Sequence, residues 1–138
     1  AKERHLKVAS LEDPYHIDPR MAWNLENTTT LKLLYEGLFT YDSNGTLTPA
    51  LAEKIDISPD GRTYTFTLHP AKWSDGSLLT AHDFEATWKS VLNPLFASPN
   101  AYQLYVLKNG KAAKDGEMAL EAVGVKALDA NTLLVELE

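Results

Sequence analysis

Residues 58–94 read SPDGRTYTFTLHPAKWSDGSLLTAHDFEATWKSVLNP and specify a hairpin, a turn and a capped helix in succession. The run at 58–61 predicts a tight turn, because proline presets its own φ and glycine accepts a positive φ. Residues 63–68 then alternate threonine with tyrosine, phenylalanine or leucine, which is the period of a half-buried strand. Residues 55–57 are expected to pair with this strand and complete the hairpin.

The second half of the stretch predicts another turn and the start of a helix. Residues 74–76 (SDG) are a turn sequence, and Trp73 before them is expected to be an anchor in the core. Thr80 is suited to an N-cap, and Asp83 three residues later makes the pair a close relative of a capping box. The positive end of the helix dipole also favours Asp83 in the first turn.

The helix itself is predicted to be amphipathic. Phe84, Trp88 and Val91 follow one another at offsets of zero, four and seven, so one apolar stripe faces inward. Pro94 ends the helix, because proline biases the residue before it away from helical geometry.

Upstream of this stretch the sequence predicts a strand, an irregular segment, a helix and a short strand. A strand is expected over 6–11 with Val8 facing inward, and the prolines in 12–26 prevent regular structure there. Asn27 or Thr28 is expected to cap a helix that continues through residue 35 and stops at Gly37. Its apolar stripe consists of Leu31, Leu34, Tyr35 and Leu38. A strand over 38–41 and a turn over 42–45 follow.

The remaining segments are predicted from turn residues and short apolar runs. Residues 49–53 fit a short helix with proline at its first position. Residues 101–107 suit either helix or strand, since a short apolar run does not discriminate between them. Residues 109–117 are the best candidate for a flexible loop. Residues 123–128 and 133–137 are predicted to form a hairpin.

Composition indicates a soluble globular domain and excludes several classes of function. The chain has 138 residues, of which 44% are hydrophobic and 23% charged, enough for one domain with a core. A net charge of −6 argues against nucleic acid as a partner, because phosphate binding needs a basic surface. The absence of cysteine excludes disulfides and thiolate metal sites. No apolar run reaches the roughly 18 residues of a membrane span.

Several motifs together resemble one protein family. Residues 58–68, 71–94 and 123–137 are similar to segments of the extracytoplasmic solute-binding proteins of peptide ABC transporters, known as family 5. Within that family the chain most resembles the oligopeptide-binding proteins. Residues 17–19 (IDP) and 35–39 (YEGLF) resemble the family's amino-terminal signature. The resemblance extends over most of the chain, roughly residues 6–137.

The resemblance implies a fold and a domain organisation. The expected class is α/β, mixed α+β in this chain, with the type II periplasmic-binding-protein-like architecture. Residues 1–35 are expected to begin the first lobe, with a strand, an extended cleft segment and a helix. Residues 36–138 are expected to form the extra β-rich subdomain, with hairpins and a capped helix near 81–92. Family members are several times longer and have two lobes, so the chain is expected to be an amino-terminal fragment without the second lobe.

The resemblance also implies a function in binding and not in catalysis. The full protein is expected to be a monomer that captures oligopeptides outside the cytoplasm and delivers them to an ABC permease in the membrane. Export through a removed leader, with a possible lipid anchor, is expected from the same resemblance. The alternatives are a related receptor for a dipeptide, a murein peptide, nickel or haem, and a stand-alone protein-docking domain.

Ligand-contacting residues are also carried over from the resemblance. An ungapped alignment from residue 18 to residue 36 puts Trp23, Asn24 and Leu25 where the family's extended segment passes the cleft. Trp23 stands where relatives have an acidic side chain, which favours apolar or stacking contact over charge recognition. Asn100 and Tyr102 correspond to a loop whose aromatic residue approaches the ligand. The alternatives are a packing role for Trp23 and a capping or turn role for Asn100 and Tyr102.

The sequence offers no comparable signal for a cofactor, a metal or a catalytic centre. The four histidines, at 5, 16, 69 and 82, contain no pair at the i, i+4 spacing of a helical zinc motif. Asp75 in a turn and Asp83 at a helix start occupy good structural positions for aspartate, so general acid–base chemistry is not expected. No glycine-rich phosphate loop and no nucleophile elbow is present.

Overall fold

The computed structural model describes residues 16–138 together with His5, residues 7–9 and Asp13. In chain order the helices and strands are α1 (Leu25–Leu34), β1 (Phe39–Tyr41), β2 (Leu47–Pro49), β3 (Ala52–Ile57), β4 (Thr63–Leu68), β5 (Ala71–Lys72), β6 (Leu78–Leu79), α2 (Ala81–Leu92), α3 (Gly110–Lys114), β7 (Val125–Ala127) and β8 (Thr132–Glu136). Short 3-10 turns cover Pro19–Met21, Ala101–Leu104 and Leu120–Ala122.

The centre of the fold is a four-stranded antiparallel sheet in the order β3-β4-β8-β7. Its core side is covered by α2, which packs on β7 and β8. Leu92, Val125 and Leu133 are fully buried between these layers. The hairpins β1–β2 and β5–β6 form separate two-stranded sheets.

The predicted hairpin of β3 and β4 is confirmed and is longer than expected. Ile55 pairs with Phe66, and the turn between the strands has Gly61 at φ 70°. Alternation along β4 buries Phe66 and Leu68, as the threonine pattern predicted. The hairpin of β7 and β8 is confirmed as well, and β8 also pairs with β4.

The predicted cap of α2 is also confirmed. The carboxylate of Asp83 accepts hydrogen bonds from the Thr80 backbone N–H at 2.7 Å and from its hydroxyl at 3.1 Å. The helix ends at Leu92, just before Asn93 and Pro94. Val91 is buried, and Phe84 and Trp88 are half-buried against the core.

Helix α1 differs from its prediction at both ends. It begins three or four residues earlier than expected, because Asn24 is the N-cap in place of Asn27 or Thr28, and its side-chain oxygen accepts the Asn27 N–H at 2.8 Å. It ends at Leu34, before the expected stop at Gly37. Of the predicted stripe, Leu31 is buried, whereas Leu34 and Tyr35 are 60% and 42% exposed.

Two predictions after α1 are wrong for reasons of tertiary structure. Residues 49–53 are not a helix, because β2 pairs with β1 and β3 pairs with β4, which leaves the chain extended on both sides of Leu51. Residues 109–117 are not a loop, since Gly110–Lys114 forms α3. Asn109 adopts φ 57° before it, and Ala113 is fully buried.

Residues 101–107, whose sequence suits either helix or strand, form a 3-10 turn over Ala101–Leu104. Leu107 then forms a single antiparallel β-bridge with Leu137. Residues 6, 10 and 11 of the strand predicted over 6–11 lie outside the described residues. Residues 7–9, which are described, carry no strand, and Val8 is 55% exposed. Within the described residues no helix combines the length and apolarity needed to cross a membrane.

Candidate functional site

A groove of about 580 Å³ opens between the amino-terminal part of the chain and the exposed side of α2. One wall consists of residues 19–24, α1 and the segment that follows α1. The other wall consists of α2, the β5–β6 hairpin and residues 100 and 103. The groove therefore lies where two segments that are distant in sequence meet.

Five aromatic side chains contribute to the lining of this groove. They are Trp23, Tyr35, Trp73, Phe84 and Trp88. Trp23 is 66% exposed and makes no hydrogen bond with any other described residue. This lining suits apolar ligand groups, since aromatic faces bury large areas and stack on other rings.

Trp73 belongs to this groove, so its predicted place in the core is wrong. It is 38% exposed and lines the groove wall. The reason is topological: Trp73 follows β5, whose hairpin with β6 does not join the central sheet. Its backbone N–H donates to Ser77 at 2.9 Å, which closes the predicted turn, and Gly76 within that turn has φ 89°.

The amino-terminal wall is held by an ion pair between Asp18 and Arg20. The guanidinium Nη2 lies 2.6 Å from Asp18 Oδ2, and the Arg20 backbone N–H donates to Oδ1 at 2.9 Å. These hydrogen bonds from Arg20 hold the pKa of Asp18 below its ordinary value. The guanidinium also stacks on Phe96, 4.5 Å from the ring centroid, and donates to the Ser90 hydroxyl at 3.3 Å.

Two further hydrogen bonds join the amino-terminal wall to the loop after α2. The Ser98 hydroxyl donates to the Arg20 carbonyl at 2.7 Å, and the Asn100 side-chain amide donates to the Ala22 carbonyl. Each bond spans 78 residues of sequence. The two segments that the family resemblance singled out therefore lie side by side.

Three of the five predicted ligand-contacting residues line the groove. They are Trp23, Asn24 and Asn100, and Asn24 also caps α1. Leu25 and Tyr102 are outside the groove lining and are 75% and 63% exposed.

Several groove residues were missed by the sequence analysis. Phe84 and Trp88 were assigned to an inward-facing stripe, yet both are only half-buried and contribute to the groove as well as to the core. A more informative signal was the presence of three tryptophans in a chain of 138 residues, all of which line one groove.

Charge at the groove is sparse. Lys32, Glu36 and Asp83 are the charged side chains of its lining, and Asp83 is already bound to Thr80. In the part of the chain that is described, no group of three histidine, aspartate or glutamate residues is placed to hold a metal ion. The few charges and the aromatic side chains of the lining suit a ligand with apolar groups.

Comparison with protein families gives one match that covers most of the chain. Residues 46–138 match the model described as bacterial extracellular solute-binding proteins, family 5 Middle. The oligopeptide-binding protein OppA of Bacillus subtilis is 40% identical over 133 residues, which are 96% of this chain and 24% of that protein.

Solved structures give the same result. The murein tripeptide-binding protein MppA of Escherichia coli has a TM-score of 0.87 and 35% identity over 92% of this chain and 25% of that one. OppA of Listeria monocytogenes bound to peptide has a TM-score of 0.85 and 33% identity over 88% and 24%. The chain spans about a quarter of the length of these relatives. The expected α/β class and its type II binding-protein architecture are confirmed.

Proposed function

Because the chain belongs to family 5 of the bacterial extracellular solute-binding proteins, we propose that it contributes to the capture of oligopeptides for an ABC transporter. The observation that carries the proposal is that 96% of this chain aligns with a protein named for oligopeptide binding. The protein acts by binding and not by catalysis. Its partners are a peptide ligand and a membrane permease, and it acts as a monomer.

The groove supports this proposal through its chemistry. A peptide-binding protein of low sequence specificity needs apolar surface for varied side chains and main-chain groups for the ligand backbone. Trp23 supplies an exposed aromatic face beside an extended backbone at Ala22 and Asn24. In this proposal the path of the ligand passes the five predicted contact residues, Trp23, Asn24, Leu25, Asn100 and Tyr102.

Division into lobes follows the same reasoning. We assign residues 1–35, which include the cleft segment and α1, to the start of the first lobe, and 36–138 to the extra β-rich subdomain. The central sheet with α2 is then a scaffold that holds one flank of the cleft. Closure around a ligand would present the permease with a conformation that the free protein rarely adopts.

Location outside the cytoplasm is part of the proposal. Binding proteins of this kind meet their ligands on the outer side of the membrane, where the permease receives them. A lipid anchor at the amino terminus is the simplest means of keeping such a protein near its permease.

The experiment is a domain exchange in the Bacillus subtilis oligopeptide-binding protein. The matching quarter of that protein is replaced by this chain, and a mixed pool of short peptides is offered to the hybrid, to the unaltered relative and to this chain alone. Bound peptides are recovered and identified by mass spectrometry. We expect the hybrid to retain peptides of two or more residues with varied sequences.

A folded hybrid that retains no peptide, beside an unaltered relative that does, contradicts the proposal. Circular dichroism and a cooperative urea transition establish that the hybrid is folded. Retention of peptides by this chain alone would instead favour its action as a stand-alone binding domain.

A murein peptide is the second candidate ligand, favoured by the 35% identity to the Escherichia coli murein tripeptide-binding protein. The same pool includes a murein tripeptide, so the recovered masses distinguish the two ligands. Selective retention of that tripeptide would replace the oligopeptide assignment.

A further inference from the structure

We propose that Ser98 and Asn100 form a clasp that holds the backbone of residues 20–24 and so positions Trp23 on the rim of the groove. The consequence for ligand contact rests on the function proposed above. Asn100 is then a positioning residue that acts through Trp23, whatever its own distance from the ligand.

The clasp consists of two side-chain donors directed at two main-chain carbonyls. Ser98 Oγ donates to the Arg20 carbonyl at 2.7 Å, and Asn100 Nδ2 donates to the Ala22 carbonyl. The acceptors are two residues apart, as are the donors. The loop therefore binds the Pro19–Met21 turn and the residue after it at two successive points, which restrains both the position and the rotation of this segment.

The loop that carries the clasp is itself fixed to the fold. Ala101, directly after Asn100, is 3% exposed. The Asn100 N–H donates to Ser98 Oγ at 3.3 Å, and its carbonyl accepts the Gln103 N–H at 3.0 Å. The backbone of Asn100 thus has the turn or capping role that was the alternative to ligand contact. Its side chain remains available to hold Ala22.

Trp23 depends on its two neighbours for its position. It makes no hydrogen bond with the described part of the chain, and its side chain is 66% exposed. On one side Asn24 is fixed as the N-cap of α1, and on the other Ala22 is fixed by Asn100. Loss of the Asn100 donor removes the hydrogen bond nearest to Trp23 on this side and leaves the contacts of Arg20, three residues away, to hold it.

The test substitutes the donor without changing its size. Asn100→Asp converts the amide donor into a carboxylate, which faces the Ala22 carbonyl with like partial charge. The matched control is Gln103→Glu, which adds the same charge to the lining of the same groove, where Gln103 makes no side-chain hydrogen bond with a described residue. In a second pair of variants, Ser98→Ala removes the hydroxyl donor and Ser98→Thr retains it, and neither variant adds charge.

The readout is 15N relaxation of the 138-residue chain without ligand. In the unaltered protein we expect order parameters near 0.85 for residues 22–24, and in N100D we expect values below about 0.6. The Trp23 indole N–H signal shifts in N100D and stays in place in Q103E. We expect S98A to lower the order parameters of the same residues and S98T to keep them near the values of the unaltered chain.

Order parameters in N100D and S98A that match those of Q103E and the unaltered chain would overturn the proposal. The S98A and S98T pair decides the proposal even if N100D does not fold. Since no ligand is present, failure of the clasp is distinguishable from failure of peptide binding. If N100D and S98A loosen residues 22–24 but the hybrid binds no peptide, the clasp is supported and the proposed function is refuted.

Discussion

The carboxylate of Glu85 on α2 accepts the backbone N–H of Ala127 on β7 at 2.8 Å. Ala127 lies on an edge strand of the central sheet, where an outward N–H has no neighbouring strand to bind. The other carboxylate oxygen of Glu85 accepts from Lys89 Nζ at 2.6 Å. One side chain thus joins the helix to the sheet and closes a hydrogen-bonding position on its edge.

This contact predicts an acid-sensitive part of the stability. Burial opposes ionisation of Glu85, but the hydrogen bonds from Lys89 and from the Ala127 N–H outweigh it and lower its pKa. A carboxyl whose pKa is lower in the folded state stabilises the fold above its unfolded pKa and loses this contribution as pH falls through the folded pKa. We expect Glu85→Gln to lower the free energy of unfolding by about 1 kcal/mol at pH 7.

Urea unfolding between pH 7 and pH 3 checks this prediction. The difference in the free energy of unfolding between the unaltered chain and E85Q should become smaller below about pH 4.3, where the carboxyl of the unfolded chain takes up its proton. Glu53→Gln is the control, because Glu53 is exposed on β3 and its side chain has no hydrogen bond with the described residues. If the free energy of unfolding of E85Q differs from that of the unaltered chain by the same amount from pH 7 to pH 3, Glu85 is not the source of the acid sensitivity.

Lys114 on α3 predicts a second test of stability. Its ammonium group donates to the carbonyls of Val91 at 3.1 Å and Asn93 at 2.9 Å and also to that of Phe96. The last carbonyls of a helix have no partners within the helix, so Lys114 satisfies groups at the end of α2. We expect Lys114→Met to reduce the free energy of unfolding by about 2 kcal/mol.

Lys111 provides the control for Lys114 on the same helix. It forms an exposed i, i+4 ion pair with Asp115, a kind of contact that contributes little in water. Lys111→Met should therefore change stability by less than about 0.5 kcal/mol. Equal effects of K114M and K111M in thermal or urea unfolding would show that Lys114 does not support α2.

Trp23 carries the prediction for ligand affinity. In the hybrid with the Bacillus subtilis relative, Trp23→Ala should weaken binding of a captured peptide about tenfold, because an aromatic contact is lost. Tyr41→Ala is the control, since Tyr41 is 69% exposed and lies outside the groove lining. Calorimetric titration gives both dissociation constants. An unchanged affinity in W23A would contradict ligand contact and favour the alternative, a packing role for Trp23.

Local sequence signals predicted the elements whose causes are local. The Thr80 and Asp83 cap needs only residues three apart, and the Gly61 turn needs only a positive φ between two pairing strands. Both are found as expected. Alternation along β4 succeeded as well, because burial on one face of a strand follows a period of two.

Predictions failed where distant contacts decide the structure. Proline at position 49 suits a helix start, yet pairing with β1 and β4 keeps this part of the chain extended. Residues 109–117 were predicted as a loop from Gly110, Gly116 and their charged residues, but burial of Ala113 and the hydrogen bonds that Lys114 donates stabilise a helix over 110–114. Trp73 is in the groove because its hairpin stays apart from the sheet, which its local sequence does not encode.

The candidate site was predictable in part. The family resemblance singled out residues 23–25, 100 and 102, and of these Trp23, Asn24 and Asn100 line the groove. The hydrogen bond between Asn100 and Ala22 crosses 78 residues and depends on how the loop after α2 packs, so no local pattern could have indicated it. The aromatic character of the groove likewise arises from four separate parts of the chain: the segment before α1, the end of α1, the β5–β6 hairpin and α2.

The most direct test of the central claim is amide hydrogen exchange of the hybrid with and without a bound peptide. The Trp23 amide has no hydrogen-bond partner among the described residues, so it should exchange quickly in the free protein. A peptide bound along this segment should slow exchange at residues 22–25 and around residue 102 at least about tenfold. Protection confined to the relative's own part of the hybrid would contradict the account.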